Sequence, residues 1–310
     1  MRKRLKDLGL IDEAFKIAVS NDRLYIPVKD GVDVSSFELE TCDVLPVSRQ
    51  RSARIGLNYE VIGDIAIIDR TPDNEAVARE LLETRKDVKV VLAAASGVQG
   101  QYRLKDLVFI AGEQRTTTVY REYGFSFTLD VSKVYFSPRL ATERHRIASL
   151  ADPSETIVDM FAGIGPFTIM LAKKVNMVIA FEINPIAVEY LKKNIARNHV
   201  NNVVVYVGDA KSLAPKSRNV ANRVIMNLPH AAFDFLSEAL TVLNDGGGTI
   251  HYYDVRSEDE FTYAAERVRE AVEQRGRTID SLQLKKVRSY APHRYIIVLD
   301  IRVAAGSNWD

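Results

Sequence analysis

The sequence predicts an α/β protein: a doubly wound, mostly parallel sheet with an antiparallel closing strand, behind small N-terminal α+β domains. Three observations predict it. From residue 156 onward, short apolar runs alternate with helix-length amphipathic segments, the pattern of parallel strands joined by crossover helices. A glycine turn, Asp159-Met160-Phe161-Ala162-Gly163-Ile164-Gly165, follows the first run, where open α/β sheets bind ligands. The last two runs are joined by a short link instead of a helix, which makes them a hairpin.

Each element has its own signal. Leu5–Ala18 reads as a helix and Arg23–Val28 as a strand. Tyr59–Ile68 reads as a strand pair, or one strand bent at Gly63, and Asn74–Thr84 as a helix. Lys89–Ala94, Thr116–Tyr120 and Phe125–Asp130 read as strands. Thr156–Ala162 is the first buried strand, followed by the glycine turn and a helix through Lys174. After strand Met177–Ile183, Asn184 is placed to cap a helix that has Pro185 at its first position and runs to Arg197. Val203–Val207 and Arg223–Met226 are the next strands, and Ala231–Leu243 is helical. Gly246-Gly247-Gly248 turns the chain into strand Thr249–Val255, and helix Glu258–Gln274 follows. Strands Leu282–Arg288 and Tyr295–Val303 close the fold. Boundaries near residues 55 and 135 divide the chain into segments 1–54, 55–135 and 136–310.

Composition narrows the classes. A chain of 310 residues exceeds one average domain. One cysteine, Cys42, excludes an internal disulfide framework and a cysteine zinc site. The longest uncharged run, Met160–Ala172, is too short to cross a bilayer, and no apolar core follows the basic residues at the start. The expectation is a cytoplasmic monomer with no membrane association. The five histidines show no metal-ligand spacing, so no metal is expected. With 42 basic and 41 acidic residues, bulk charge does not advertise a nucleic-acid partner. Local clusters do: Arg49, Arg51 and Arg54; Lys133, Arg139, Arg144 and Arg146; and Lys285, Lys286, Arg288 and Arg294, with Tyr290 and Tyr295 interleaved. Each could be a solvated face, but three such clusters flanking one site point to a phosphate-contacting surface.

Gly163 and Gly165 allow a tight turn and close backbone approach to a ligand. A third glycine of a dinucleotide fingerprint is missing, since Thr168 stands there, which disfavours a dinucleotide among nucleotide-like cofactors. Glu182 ends the second strand, where an acid can accept from both ribose hydroxyls, and Asp209 follows the third, where it can reach an adenine amino group. Downstream, Asn227-Leu228-Pro229-His230 follows a strand and is suited to hold a planar acceptor such as a base.

These residues resemble the archaeal and eukaryotic tRNA (guanine-N1)-methyltransferases that modify the guanosine 3′ of the anticodon, position 37. Four blocks carry the likeness: Val134–Arg144, Val158–Phe167, Asn227-Leu228-Pro229 and Ser289-Tyr290-Ala291-Pro292. The resemblance implies a Rossmann-like class I methyltransferase sheet and S-adenosylmethionine as cofactor, bound by Asp159, Phe161, Gly163, Gly165, Glu182, Asp209 and Asn227. It implies tRNA as partner, with 1–54 a small tRNA-reading domain, 55–135 an RNA-binding or linking domain, and 136–310 the methyltransferase domain. Glu143 would be the general base for guanine N1–H, Arg103 would stabilise charge on O6, Arg139 and Tyr135 would organise the base pocket, and Asn227 would hydrogen-bond the base. Two departures bear on tRNA contact: the N-terminal domain is short, and Lys105 stands where the family block has a second arginine.

The chemistry suits those residue types. Guanine N1 is protonated at neutral pH, so methylation needs a carboxylate acceptor for its proton and a cation near O6. Phe136, Tyr290 and Tyr295 are further candidates for the walls of a base pocket. Alternatives remain open. Glu143 could pair with Arg139 or Arg146 along a helix face. The chain could belong to wyosine-type tRNA base synthesis, bifunctional or transferring an aminocarboxypropyl group, or be a tRNA-binding protein with a degenerate site.

Overall fold

Why the runs become strands is visible in their register. In the computed structural model, which describes residues 18–20, 23–26, 28 and 59–305, Ile157 packs on one face of a central strand and Val158 on the other, as period-two alternation requires. The chain divides into two units, 1–56 and 57–310. In the first, β1 (Ala18–Ser20) pairs antiparallel with β2 (Arg23–Tyr25). Up to residue 17 the expected helix Leu5–Ala18 lies outside the described residues, and Ala18 itself starts β1. The strand expected over residues 23–28 stops at Tyr25.

The second unit begins with β3 (Tyr59–Ile62) and β4 (Ile65–Asp69), a hairpin. Gly63, at φ 61°, makes its turn: a Cβ there would lie 2.1 Å from Thr118 Oγ1. Helix α1 (Asn74–Thr84) crosses to β5 (Val90–Ala94), parallel to β4, and β6 (Leu107–Gly112) completes a sheet of order β3-β4-β5-β6. Strand β6 was not expected; Val108 and Phe109 are both exposed, so it lacks the in–out alternation that marks a half-buried strand. Strands β7 (Thr117–Glu122) and β8 (Phe125–Asp130) form a separate hairpin.

A 3-10 turn, Pro138–Leu140, leads into α2 (Ala141–Leu150). The main sheet then forms from β9 (Thr156–Asp159), β10 (Met177–Glu182), β11 (Val203–Val207), β12 (Arg223–Met226), β13 (Gly248–Arg256), β14 (Ile279–Ala291) and β15 (Arg294–Val303). Its order is β11-β10-β9-β12-β13-β15-β14, parallel from β11 to β13 and antiparallel at β15. The antiparallel strand is inserted beside β13, and β14 takes the edge. Helices α3 (Pro166–Ala172), α4 (Pro185–Arg197), α5 (Ala210–Leu213), α6 (Leu236–Val242) and α7 (Phe261–Glu273) connect the strands. Asn184 caps α4 as expected, its Oδ1 accepting from Ile186 N at 3.0 Å.

Some boundaries differ from the sequence reading. The strand expected over 156–162 ends at Asp159, although Met160 N still donates to Ile225 O at 3.1 Å and Ala162 N to Phe181 O at 2.9 Å as the chain enters the turn. The helix expected over 231–243 splits into a 3-10 turn, Ala232–Phe235, and α6. The closing hairpin is longer than expected, and His293 at φ 59° turns it.

One hydrophobic cluster joins Ile65, Leu92, Phe127 and Leu129 to Phe167, Tyr253 and Val298; a second, including Phe181, Leu236 and Val268, packs the opposite face. Because β10 lies on one side of β9 and β12 on the other, the strand order reverses there and opens a crevice at their carboxyl ends. Among the described residues no helix is long and apolar enough to cross a membrane.

Candidate active site

That crevice holds a cavity of about 180 Å³, lined by Phe161, Gly163, Glu182, Asp209, Asn227 and the Gln101–Arg103 turn, among others. Gly165 enters α3 at φ 92°, and a Cβ there would sit 2.4 Å from Leu191 Cδ1 in the core. The turn therefore needs glycine for both its backbone and its packing. Gly163 N donates to Glu182 Oε2 at 2.7 Å, and Asn184 N donates to Oε1 at 2.7 Å. Burial pushes the Glu182 carboxyl above its ordinary value, against those two donors. Asp209 caps α5, accepting from Lys211 N at 2.9 Å through Oδ1.

Asp159 lies at the end of β9, 1% exposed, and accepts from Thr168 Oγ1 at 2.7 Å. Thr168, which stands at the missing fingerprint glycine, thus supports the turn. Burial pushes Asp159 up to about 6. Its Oδ1 and the Oδ1 of Asn227 are buried acceptors without a partner among the described residues. Asn227 lines the cavity and Asp159 does not, so the open acceptor on the cleft is that of Asn227, and such an acceptor suits a ligand rich in donors. The ammonium, ribose hydroxyls and adenine amino group of S-adenosylmethionine are such donors, and Phe161, packed edge-on against Phe235 at 5.1 Å, offers an apolar face. The residues fit that cofactor.

The proposed acceptor residues divide. Arg103 is held at φ 55°, and its guanidinium lies 4.8 Å from the Tyr135 ring centroid, inside the cavity wall. A non-glycine residue in that backbone region marks a position that its surroundings over-determine. Tyr135 and Arg103 also line a neighbouring groove with Lys105, Arg139, Arg288, Tyr59 and Tyr290. Arg139 belongs to that groove and not to the cavity; its Nε is 3.2 Å from Glu60. Burial and the neighbouring Arg139 charge pull the Arg288 guanidinium below its ordinary value, as expected of cations held together for an anion.

Glu143 does not line the cavity. It is buried in the first turn of α2, where Arg146 Nε and Nη2 each donate to it at 2.7 Å and Tyr253 Oη donates at 2.7 Å. The i,i+3 pairing open to Glu143 on sequence grounds is therefore formed, but inside the protein instead of on a solvated face.

The second basic cluster does not form one phosphate surface. Arg144 is 2% exposed and forks onto Glu122 at 2.5 and 2.7 Å, and Arg146 is taken by Glu143 and Asp300. In the third cluster Lys285 and Lys286 pair with Asp300 and Glu258 and Arg294 donates to the Val255 carbonyl at 3.1 Å, leaving Arg288 in the groove. Arg49, Arg51 and Arg54 lie outside the described residues. Of the other aromatic candidates, Phe136 belongs to the core but also lines both cavity and groove, Tyr290 lines the groove 5.1 Å from His230, and Tyr295 packs on Phe261. Sequence reasoning missed Tyr253 and Asp300, which meet the Glu143 site from 110 and 154 residues away and carry no motif. Among the described residues no group of His, Cys, Asp and Glu could hold a metal ion.

Comparison with known proteins adds the lineage. Residues 118–280 match the TRM5/TYW2 methyltransferase domain, and residues 1–37 match the tRNA methyltransferase 5 N-terminal domain. A tRNA (guanine(37)-N(1))-methyltransferase, Trm5b of Pyrococcus abyssi, is 41% identical over 98% of this chain and 96% of its own. The solved complex of aTrm5 with tRNALeu superposes with a TM-score of 0.70 at 30% identity, covering 97% of this chain and 95% of that one. TYW2 of M. jannaschii, solved with AdoMet, gives 0.64 at 31% identity but covers 80% of this chain and all of its own. The methyltransferase-domain match spans more than half of the chain and the Trm5b relative nearly all of it, so this chain belongs to the TRM5/TYW2 methyltransferase family.

Proposed function

We propose that this protein transfers a methyl group from S-adenosylmethionine to N1 of the guanosine immediately 3′ of the anticodon, position 37 of tRNA. One observation carries the reading: the cofactor-type cavity shares the Arg103 and Tyr135 wall with a neighbouring groove of cations and aromatics. Such a groove suits a phosphate backbone and splayed bases. The match of residues 1–37 to the tRNA methyltransferase 5 N-terminal domain favours this reading over aminocarboxypropyl transfer, because the TYW2 relative covers only 80% of the chain.

When bound, S-adenosylmethionine supplies an electrophilic methyl on sulfonium sulfur. Glu182 would accept from its ribose and Asp209 from its adenine, while Asp159, outside the cavity lining, would serve the site through the turn it supports with Thr168. Asn227, whose Oδ1 is unpartnered, accepts from a donor edge of the inserted base. The Tyr135 ring, with Arg103 at 4.8 Å, gives that base a stacking face. Arg103 opposes the charge that grows on O6, worth more in a water-poor site than in bulk solvent. Glu143, buried behind the cavity lining, would take the N1 proton from a base inserted past that wall. The segment 1–54 reads the tRNA body, and 55–135 links it to the methyltransferase domain at 136–310.

The test uses S-adenosylmethionine labelled separately in its methyl and aminocarboxypropyl groups. Unmodified tRNA transcripts are paired with transcripts changed only at position 37. Methyl label that disappears with the base change supports the proposal. Aminocarboxypropyl label would assign the chain to wyosine-type base synthesis, and no label with intact cofactor binding would leave a binding protein or a premodified acceptor.

A further inference from the structure

Behind Glu143 runs a continuous chain of buried and partly buried charge that the cavity does not include. The Arg146 guanidinium holds Glu143 with two of its nitrogens and also donates to Asp300, from Nη1 at 2.8 Å and Nη2 at 3.2 Å. Asp300 Oδ1 lies 2.6 Å from His251 Nδ1, and His251 Nε2 lies 2.7 Å from Arg223 Nη1. An arginine only donates, so Nε2 must accept and Nδ1 must carry the proton given to Asp300. Burial holds the His251 imidazole below its ordinary value, which agrees with that neutral tautomer. Arg223 ends the chain on Glu155, through two bonds of 2.8 Å.

The sheet register builds this arrangement. His251 and Asp300 are cross-strand partners in β13 and β15, and Ile225 of β12 pairs with His251 from the other side. Helix α2 supplies Glu143 and Arg146 three residues apart. Burial would raise the Asp300 carboxyl, but the bonds from His251 and Arg146 hold it well below the usual range. It is therefore a fixed negative charge at neutral pH.

We propose that Asp300, oriented by His251, is a positioning residue that keeps Arg146 paired while Glu143 takes up the substrate proton. The proposal rests on Glu143 as the base. During transfer the nitrogen–carbon bond forms as the carbon–sulfur bond breaks and its electron pair stays on sulfur; the nitrogen's proton goes to Glu143. Oε2 accepts only from Arg146 Nε among the described residues, so a lone pair is open for it. Before transfer, Glu143, Arg146 and Asp300 carry one net negative charge. After it, Arg146 and Asp300 remain as a neutral pair. Without Asp300, the same step would strand a guanidinium that is 24% exposed, an unfavourable state at that burial. Lys285, 3.2 Å from Asp300 and 43% exposed, is solvated and compensates weakly.

The experiment is a double-variant cycle in the full chain with Glu143→Gln and Asp300→Asn. Single-turnover methyl transfer to unmodified tRNA is measured with both substrates saturating, alongside the Kd of each. Asp300→Asn should slow transfer on the order of tenfold or more, a part of what a general base contributes, with both affinities changed less than about twofold. Adding it to Glu143→Gln should slow nothing further, since its effect passes through the carboxylate. Equal losses in both backgrounds, or weakened affinity at an unchanged rate, would overturn the proposal. Glu143→Gln at the wild-type rate refutes the base reading and this proposal with it; a slow Glu143→Gln beside a fast Asp300→Asn refutes the proposal alone. Should Asp300→Asn not fold, His251→Gln enters the same cycle with the same expectations.

Discussion

The buried pair of Arg144 and Glu122 offers a sharp test of how the cavity wall is held. Their side chains are 2% and 3% exposed, with Nε and Nη2 donating to the two carboxylate oxygens at 2.7 and 2.5 Å. Arg144 also donates to the Ser137 carbonyl at 3.1 Å and lies over the Phe136 ring at 5.4 Å. The pair thus ties β7 to the segment that presents Tyr135. Replacing Glu122 by Gln leaves a guanidinium buried without a counter-charge, at a cost of about 3–5 kcal/mol. For a unit of this size that is a fall in Tm of roughly 10 °C. Arg144→Met, which keeps the apolar stem against Phe136, should cost a similar amount by stranding Glu122. The double variant should recover much of the loss, because two neutral groups replace two charges. Urea unfolding at low and moderate salt is the assay, and salt should change the single-variant losses little because the pair is shielded from solvent. The cofactor Kd, read in parallel, should rise in Glu122→Gln, since Arg144 lines the cavity. Single losses below about 1 kcal/mol that add in the double variant would refute the reasoning.

Three further outcomes are expected. Burial raises the Asp159 carboxyl to about 6 from 3.8, so the fold favours its protonated form: that contribution is complete below pH 4 and is lost as pH rises through about 6, on the order of 3 kcal/mol. Asp159→Asn should therefore flatten the stability profile between pH 4 and 7 while weakening cofactor binding at pH 8; an unchanged profile by urea titration would reject the assignment. Arg288→Gln should weaken tRNA binding and lower the slope of log K against log salt by about 1, with single-turnover rate at saturation preserved; an unaltered slope would remove Arg288 from the phosphate path. A chain lacking residues 1–56, which leaves the unit 57–310, should bind tRNA less tightly yet transfer methyl at a similar saturating rate; equal tRNA affinity would argue against an RNA-reading segment there.

The glycine turn, the Asn184 cap and the period-two strands are local features, written in neighbouring residues, and the sequence determined them directly. It also placed Glu182 and Asp209, because a parallel sheet puts the residues at its strands' carboxyl ends beside one another regardless of loop length. Side-chain partnership was not legible in that way. Lys133, Arg139, Arg144 and Arg146 look alike in sequence, yet burial turns Arg144 and Arg146 into internal clamps and leaves Arg139 in the groove. The sequence cannot separate them, since their partners Glu122 and Asp300 are 22 and 154 residues distant. Glu143 shows the same division: its helix position follows from local pattern, but its enclosure by Tyr253 and by Arg146, itself held by Asp300, follows from β13 and β15 pairing beneath α2. Local chemistry sets the turns and strand ends; only the folded sheet decides which charges meet out of water.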